Sequence, residues 1–86
     1  MHTTNHNAHQ DIIRILGSSE NSFDDAVKNA IRQIVFGPHH KNLRFTNFEV
    51  VSMQGIIEHT DENCEVTVFQ VVMDVAGNHV HDDHDH

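Results

Sequence analysis

Gln70 stands inside an almost wholly apolar run, Val66-Thr67-Val68-Phe69-Gln70-Val71-Val72-Met73. A buried amide must find hydrogen-bond partners or cost about 1–3 kcal/mol. Glutamine offers both donors and an acceptor, so Gln70 can bond a neighbouring subunit or read the polar edge of a planar ligand. The pattern alone favours the subunit, because small-molecule sites are few per protein. A second group of residues able to do chemistry is the set of 10 histidines. His2, His6 and His9 precede the first predicted strand, and His79, His81, His84 and His86 follow the last. His39, His40 and His59 fall in predicted loops. The C-terminal stretch Asn78-His79-Val80-His81-Asp82-Asp83-His84-Asp85-His86 mixes imidazoles with carboxylates. Those ligands suit zinc, nickel or copper, although nothing local fixes their geometry and a solvated polar tail explains the composition as well. Cys64 has no CxxC partner and reads as a buried or inert thiol. No phosphate-binding glycine loop, nucleophile elbow or paired catalytic motif is present, so the residues do not point to an enzyme.

Composition narrows the classes further. The chain has 86 residues and a formal net charge of −8. A domain this small buries only roughly 60% of its unfolded surface, so its own core is marginal and partner chains or other staples are expected. One cysteine rules out a disulfide within the chain and fits a reducing, cytoplasmic setting. The acidic balance disfavours nucleic acid, which wants a basic face. No stretch approaches the ~20 apolar residues of a membrane-spanning helix.

The elements that must position these residues follow from hydrophobic spacing. Residues 1–10 read as a disordered arm. Ile12, Ile13, Ile15 and Leu16 form a short β-branched strand that Gly17 stops. Ser22 with Asp25 three residues on matches a helix capping box, with Asp24 and Asp25 also favoured by the helix dipole. Phe23, Ala26, Val27, Ala30, Ile31, Ile34 and Val35 then make one apolar stripe at helical period. Gly37-Pro38 ends the helix, the glycine suiting a left-handed cap. His39 and His40 stand where they could reach the helix's last carbonyls. Residues 43–57 predict a long strand in which Leu43 and Phe45 are out of step with Phe48 and Val50. A β-bulge near Thr46-Asn47 reconciles them, and Gly55 marks a bend. Residues 59–63 predict a turn, residues 64–76 the last strand, and residues 77–86 a His/Asp-rich tail.

That last strand is apolar on both faces. Phe69, Val71, Met73 and Val75 share one parity; Val66, Val68, Gln70 and Val72 share the other. One helix covers one face. The second is expected to pack on other subunits or on a ligand held between them.

In this order, Gly17-Ser18-Ser19, Ser22-Phe23 through Ala30-Ile31, Asn42-Leu43-Arg44-Phe45, Glu49-Val50-Val51 and Phe69-Gln70-Val71 resemble the dodecin family over roughly residues 11–76. The resemblance implies an α+β fold, with a three-stranded antiparallel β-α-β-β sheet wrapped around one helix and assembled into a dodecamer. It also implies non-catalytic storage or buffering of a flavin (riboflavin, FMN or FAD) stacked between subunits. A glutamine in the last strand, matched by Gln70, reads the ring edge. An aromatic at the start of the second strand stacks on the ring. Counting from Asn42 puts Phe45 at that position, and counting back from Glu49-Val50-Val51 puts Asn47 there. A second reading is a dodecin-like shell without flavin that binds divalent metal through His79, His81, His84 and His86.

Overall fold

In a computed structural model, residues 10–38 and 42–80 are described. Residues 1–9 of the expected arm 1–10, with His39, His40, His81, His84 and His86, lie outside them, while Gln10 belongs to a strand rather than to the arm. Strand β1 (Gln10–Ser19), helix α1 (Phe23–Val35), strand β2 (Leu43–His59) and strand β3 (Cys64–His79) follow in that order. The sheet has three antiparallel strands in the order β1-β3-β2, so β3 is central. This is the expected β-α-β-β, α+β architecture.

The helix starts where its cap was expected. Ser22 is the N-cap, and its hydroxyl accepts the Asp25 backbone N–H at 3.0 Å. The reciprocal half of the box is replaced. The Asp25 carboxylate accepts from the Ser19 hydroxyl at 2.7 Å, and that same hydroxyl accepts the Asn21 N–H at 2.8 Å. Ser19 is buried, so this small network satisfies its hydroxyl while fixing the turn from strand into helix. At the other end the Phe36 N–H bonds the Arg32 carbonyl. Gly37 is needed there for close approach: a Cβ would sit 2.6 Å from the Gln33 carbonyl oxygen, and its backbone is not left-handed.

The core lies between the helix and one face of the sheet. Ala26, Ala30 and Ile34 of α1 meet Val71, Met73 and Val75 of β3, all buried, with Ile13, Ile15, Phe23, Val27, Ile31 and Phe45 around them. Helix and strand come close because β1 carries Gly17 at the crossing. A Cβ on it would lie 2.4 Å from the Ala26 carbonyl oxygen and 2.6 Å from the Ala30 Cβ.

Three boundaries differ from expectation. β1 runs from Gln10 to Ser19 rather than stopping at Gly17. β2 includes His59, leaving the turn to residues 60–63, where the Thr60 N–H bonds the Asn63 carbonyl. β3 extends through Gly77, Asn78 and His79: Gly77 and Asn78 pair on both sides, with Gln10 and Arg44 flanking Asn78, and His79 pairs with Leu43 of β2. The tail therefore begins after His79, not at residue 77. The bulge near Thr46 is present as a register shift between Phe45 and Asn47. A second shift at Val51 brings Met53 back to the helix side, opposite Val71. Gly55 pairs with Phe69 in unbroken register rather than marking a bend.

Candidate functional site

With β3 in the middle, register assigns every side chain to one of two faces. The helix covers the odd-numbered face of β3. The even-numbered face carries Val68, Gln70, Val72, Asp74 and Ala76, and no element of the described chain covers it. Across this open face the strands line up in rows: Ser18–Gln70–Gln54, Leu16–Val72–Ser52, Arg14–Asp74–Glu49 and Ile12–Ala76–Asn47.

Three of these rows define a surface with chemical direction. Leu16 and Ile12 are 58% and 63% exposed, an unusual state for large aliphatic side chains in a strand flanking the sheet centre. Gln70 is half-buried. Its side chain and that of Gln54 make no hydrogen bond among the described residues, although the two face each other across the β3–β2 ladder. Two amides with free donors and acceptors thus sit beside an apolar platform. Gln54 is the site residue that the amino-acid order did not reveal. Only the register, after two bulges, places it opposite Gln70.

Within the charged row Arg14 and Asp74 pair, while Glu49 stands beside Asp74 across the β3–β2 ladder. Arg14 Nε and an Arg14 terminal nitrogen donate to the two Asp74 carboxylate oxygens at 2.8 and 3.0 Å. Those hydrogen bonds, with the guanidinium charge, hold the Asp74 carboxyl below its ordinary range. Asp25 is likewise lowered, first by the hydrogen bond from Ser19 and then by that from Asn21. A carboxyl whose folded pKa is depressed contributes stability that is full above its unfolded pKa, near 3.9, and is lost as pH falls through the folded value. Urea midpoints should therefore fall below about pH 4, and Asp74→Asn should make that acid loss shallower while lowering the neutral-pH midpoint; equal slopes in the two proteins would contradict this assignment.

Phe45 and Asn47 are now separated. Phe45 lies on the helix face, packed against the core and over Gly77, where a Cβ would stand 3.0 Å from the ring. Asn47 lies on the open face opposite Ala76. Phe45 and Gln70 sit seven β3 positions apart, roughly 23 Å, and on opposite faces, so one chain does not bring them together. The described phenylalanines of the sheet, Phe45, Phe48 and Phe69, all belong to the helix face by register.

The helix side also has an uncovered part. α1 packs on β1 and β3 and leaves β2 largely bare. Phe48 and Met53 are 46% and 55% exposed. With Phe23, Val27 and Ile31 they line a groove of about 680 Å³. The sequence predicted one uncovered face; the structure shows two apolar surfaces. Cys64 is free and exposed, not buried. Among the described residues, no cluster of three or more His, Cys, Asp or Glu is set to hold a metal. His79, the described member of the tail set, is a strand residue whose Nε2 lies 2.9 Å from Asp11 Oδ2.

One helix on a three-stranded sheet with a bare second face defines a class of small α+β subunits that leave much apolar surface to be covered. The chain matches the dodecin family over residues 10–78. It belongs to that family, whose members are typically small homo-oligomers that bind flavins and are in general not catalysts. No curated protein matches the chain closely enough to name as a relative. No helix among the described residues is long and apolar enough to cross a membrane.

Proposed function

We propose that this chain forms a homo-oligomer, a dodecamer of the family type, whose open faces meet and hold a flavin between subunits, storing or buffering it without chemical change. The observation that carries the reading is the Gln70–Gln54 amide pair: half-buried at Gln70, without a side-chain hydrogen bond among the described residues, and bordered by Leu16 and Val72 on a face that no described element covers. A flavin ring is planar and apolar across its face, with alternating donors and acceptors along its pyrimidine edge. Glutamine amides match that edge in both senses. The apolar row supplies a surface on which the ring can lie, with aliphatic side chains where an aromatic stack would otherwise stand. In this reading Phe45 supports the site by holding β2 against Gly77 rather than by stacking. The exposed thiol of Cys64 suits a reducing compartment, and the reading places the protein in the cytoplasm.

Gln70→Ala removes the edge contact without touching the buried core. Riboflavin affinity, read by fluorescence quenching, is expected to fall about tenfold, the scale of one net hydrogen bond in a desolvated site. Unchanged affinity in Gln70→Ala would remove Gln70 from the site.

A further inference from the structure

Strand β1 and helix α1 both stop short of the far end of the β2–β3 hairpin. The last β1 pair is Ser19 with Phe69, and Phe23 of α1 meets Phe69 edge-to-face, with 5.0 Å between ring centres. Beyond Phe69 the sheet continues as a two-stranded arm, residues 56–68, that ends in the turn at 60–63. A two-stranded ribbon is marginal in water by itself and needs a further strand or a helix against it. This arm carries Ile56 opposite Val68 on one side and Ile57 opposite Val66 on the other. Ile56, Ile57 and Val66 are 48%, 63% and 45% exposed. Its tip is acidic: Glu58, Asp61, Glu62 and Glu65 are all exposed, and no Lys or Arg lies between residues 56 and 68. Glu58 stands directly opposite Glu65, and like charges so placed are destabilising. The arm lacks an apolar cover and a cation.

The groove between α1 and β2 offers both. Phe48 and Met53 form its exposed apolar floor, and Lys28 and Arg32 stand with Asp24 along its helix side. Both cations are exposed, and neither makes a salt bridge among the described residues. That placement matters in a chain with 13 Asp and Glu against 5 Lys and Arg. Copies so acidic repel one another unless their few cations meet carboxylates at the contact. The arm cannot fill the groove of its own chain. It runs on from β2 past Met53, the last groove residue of that strand, and its ladder carries it away.

We propose that the arm of one copy docks in the α1–β2 groove of a second copy, with its aliphatic side chains on Phe48 and Met53 and its glutamates against Lys28 and Arg32. Each copy offers both halves of the contact, so it can repeat from copy to copy, the head-to-tail pattern that builds rings. This contact uses other residues than the Gln70–Gln54 row. From the flavin reading it takes only the premise that copies associate.

The test is a charge exchange read by light scattering on the full chain. A groove variant carries Lys28→Glu with Arg32→Glu, an arm variant carries Glu58→Lys with Glu65→Lys, and a third chain carries all four substitutions. Groove and arm variants are each expected to lose mass, with the concentration for half-association raised about tenfold or more, because like charges then meet across the contact. The fourfold chain restores opposite charges and should regain mass, which excludes misfolding as the cause. Lys28→Gln with Arg32→Gln, which adds no new charge to the helix, should show a smaller loss in the same direction. Wild-type mass in the groove variant or in the arm variant would overturn the proposal. The second result is the one expected if a small apolar ligand or a different protein fills the groove. Loss of mass that the fourfold chain does not recover would overturn it too, since the two sites would then not face each other. Riboflavin quenching retained alongside either result would leave the flavin reading standing. A monomeric wild-type chain would overturn both.

Discussion

Gly17→Val is expected to prevent stable folding, and Gly17→Ala to lower the urea midpoint by the equivalent of about 3 kcal/mol. The reason is the crossing of β1 and α1. A Cβ at Gly17 would lie 2.4 Å from the Ala26 carbonyl oxygen and 2.6 Å from the Ala30 Cβ. One of those atoms is backbone and the other is the first side-chain carbon of a helix residue, so neither can turn aside. The helix would have to move off the sheet. Overpacking a core typically costs about 1–3 kcal/mol, and more where backbone must shift. A domain of this size has only about 5–15 kcal/mol in total and stands at the low end of that range. Gly55 is the internal control. A Cβ there meets its nearest atom, the Val68 carbonyl oxygen, at 3.3 Å, so Gly55→Ala should be far milder. Far-ultraviolet circular dichroism against urea checks both. Equal midpoints for Gly17→Ala and wild type would mean that helix and strand do not pack as closely as described.

Leu16→Glu is expected to leave the subunit fold intact and abolish assembly. In the isolated chain Leu16 is 58% exposed and lies opposite Val72 on the open face. Surface substitutions of that kind usually change stability by no more than about 0.5 kcal/mol. If copies of the chain cover this face, the same substitution buries an unpaired carboxylate, which costs several kcal/mol at every copy of the contact. Size-exclusion chromatography with light scattering separates the cases. A variant that keeps the wild-type mass would show that the open face is not the covered one. The contrast with Gly17 is useful because the residues are adjacent in β1 and point to opposite faces. One substitution should destroy the fold, its neighbour only the assembly.

Much of this was readable from residue order where a local physical rule had one answer. The apolar stripe from Phe23 to Val35 admits only a helix, and Ser22 caps it as capping chemistry requires. The parity break between Phe45 and Phe48 called for an extra residue, and the register shift is there. The second shift was hidden because Val50 and Val51 are the same residue type. With apolar side chains suited to both faces, nothing in the order says which valine turns away. The end of β3 was hidden for a different reason. Gly77, Asn78 and His79 are poor strand formers alone, and it is pairing that holds them extended, on both sides at Gly77 and Asn78 and with β2 at His79. Gln54 could not be found from order at all, since an amide in an exposed strand attracts no notice until the register sets it opposite Gln70. The same register places Phe45 on the helix face, packed against the core, on the opposite face of the sheet from Gln70.

The covering of the groove between α1 and β2 belongs to the same picture. Phe48, Val50 and Met53 lie exposed beside it. If copies of the chain cover this surface and the open face, as proposed, association adds to the stability of each subunit. Its apparent stability should then rise with protein concentration.

The central claim is that the open face around Gln70 and Gln54 receives a flavin between assembled copies. Riboflavin fluorescence, titrated with the assembled wild-type protein, tests it most directly. Saturable quenching that weakens about tenfold in Gln70→Ala is the result expected. Riboflavin that stays fully fluorescent beside a protein shown by light scattering to be oligomeric would contradict the claim.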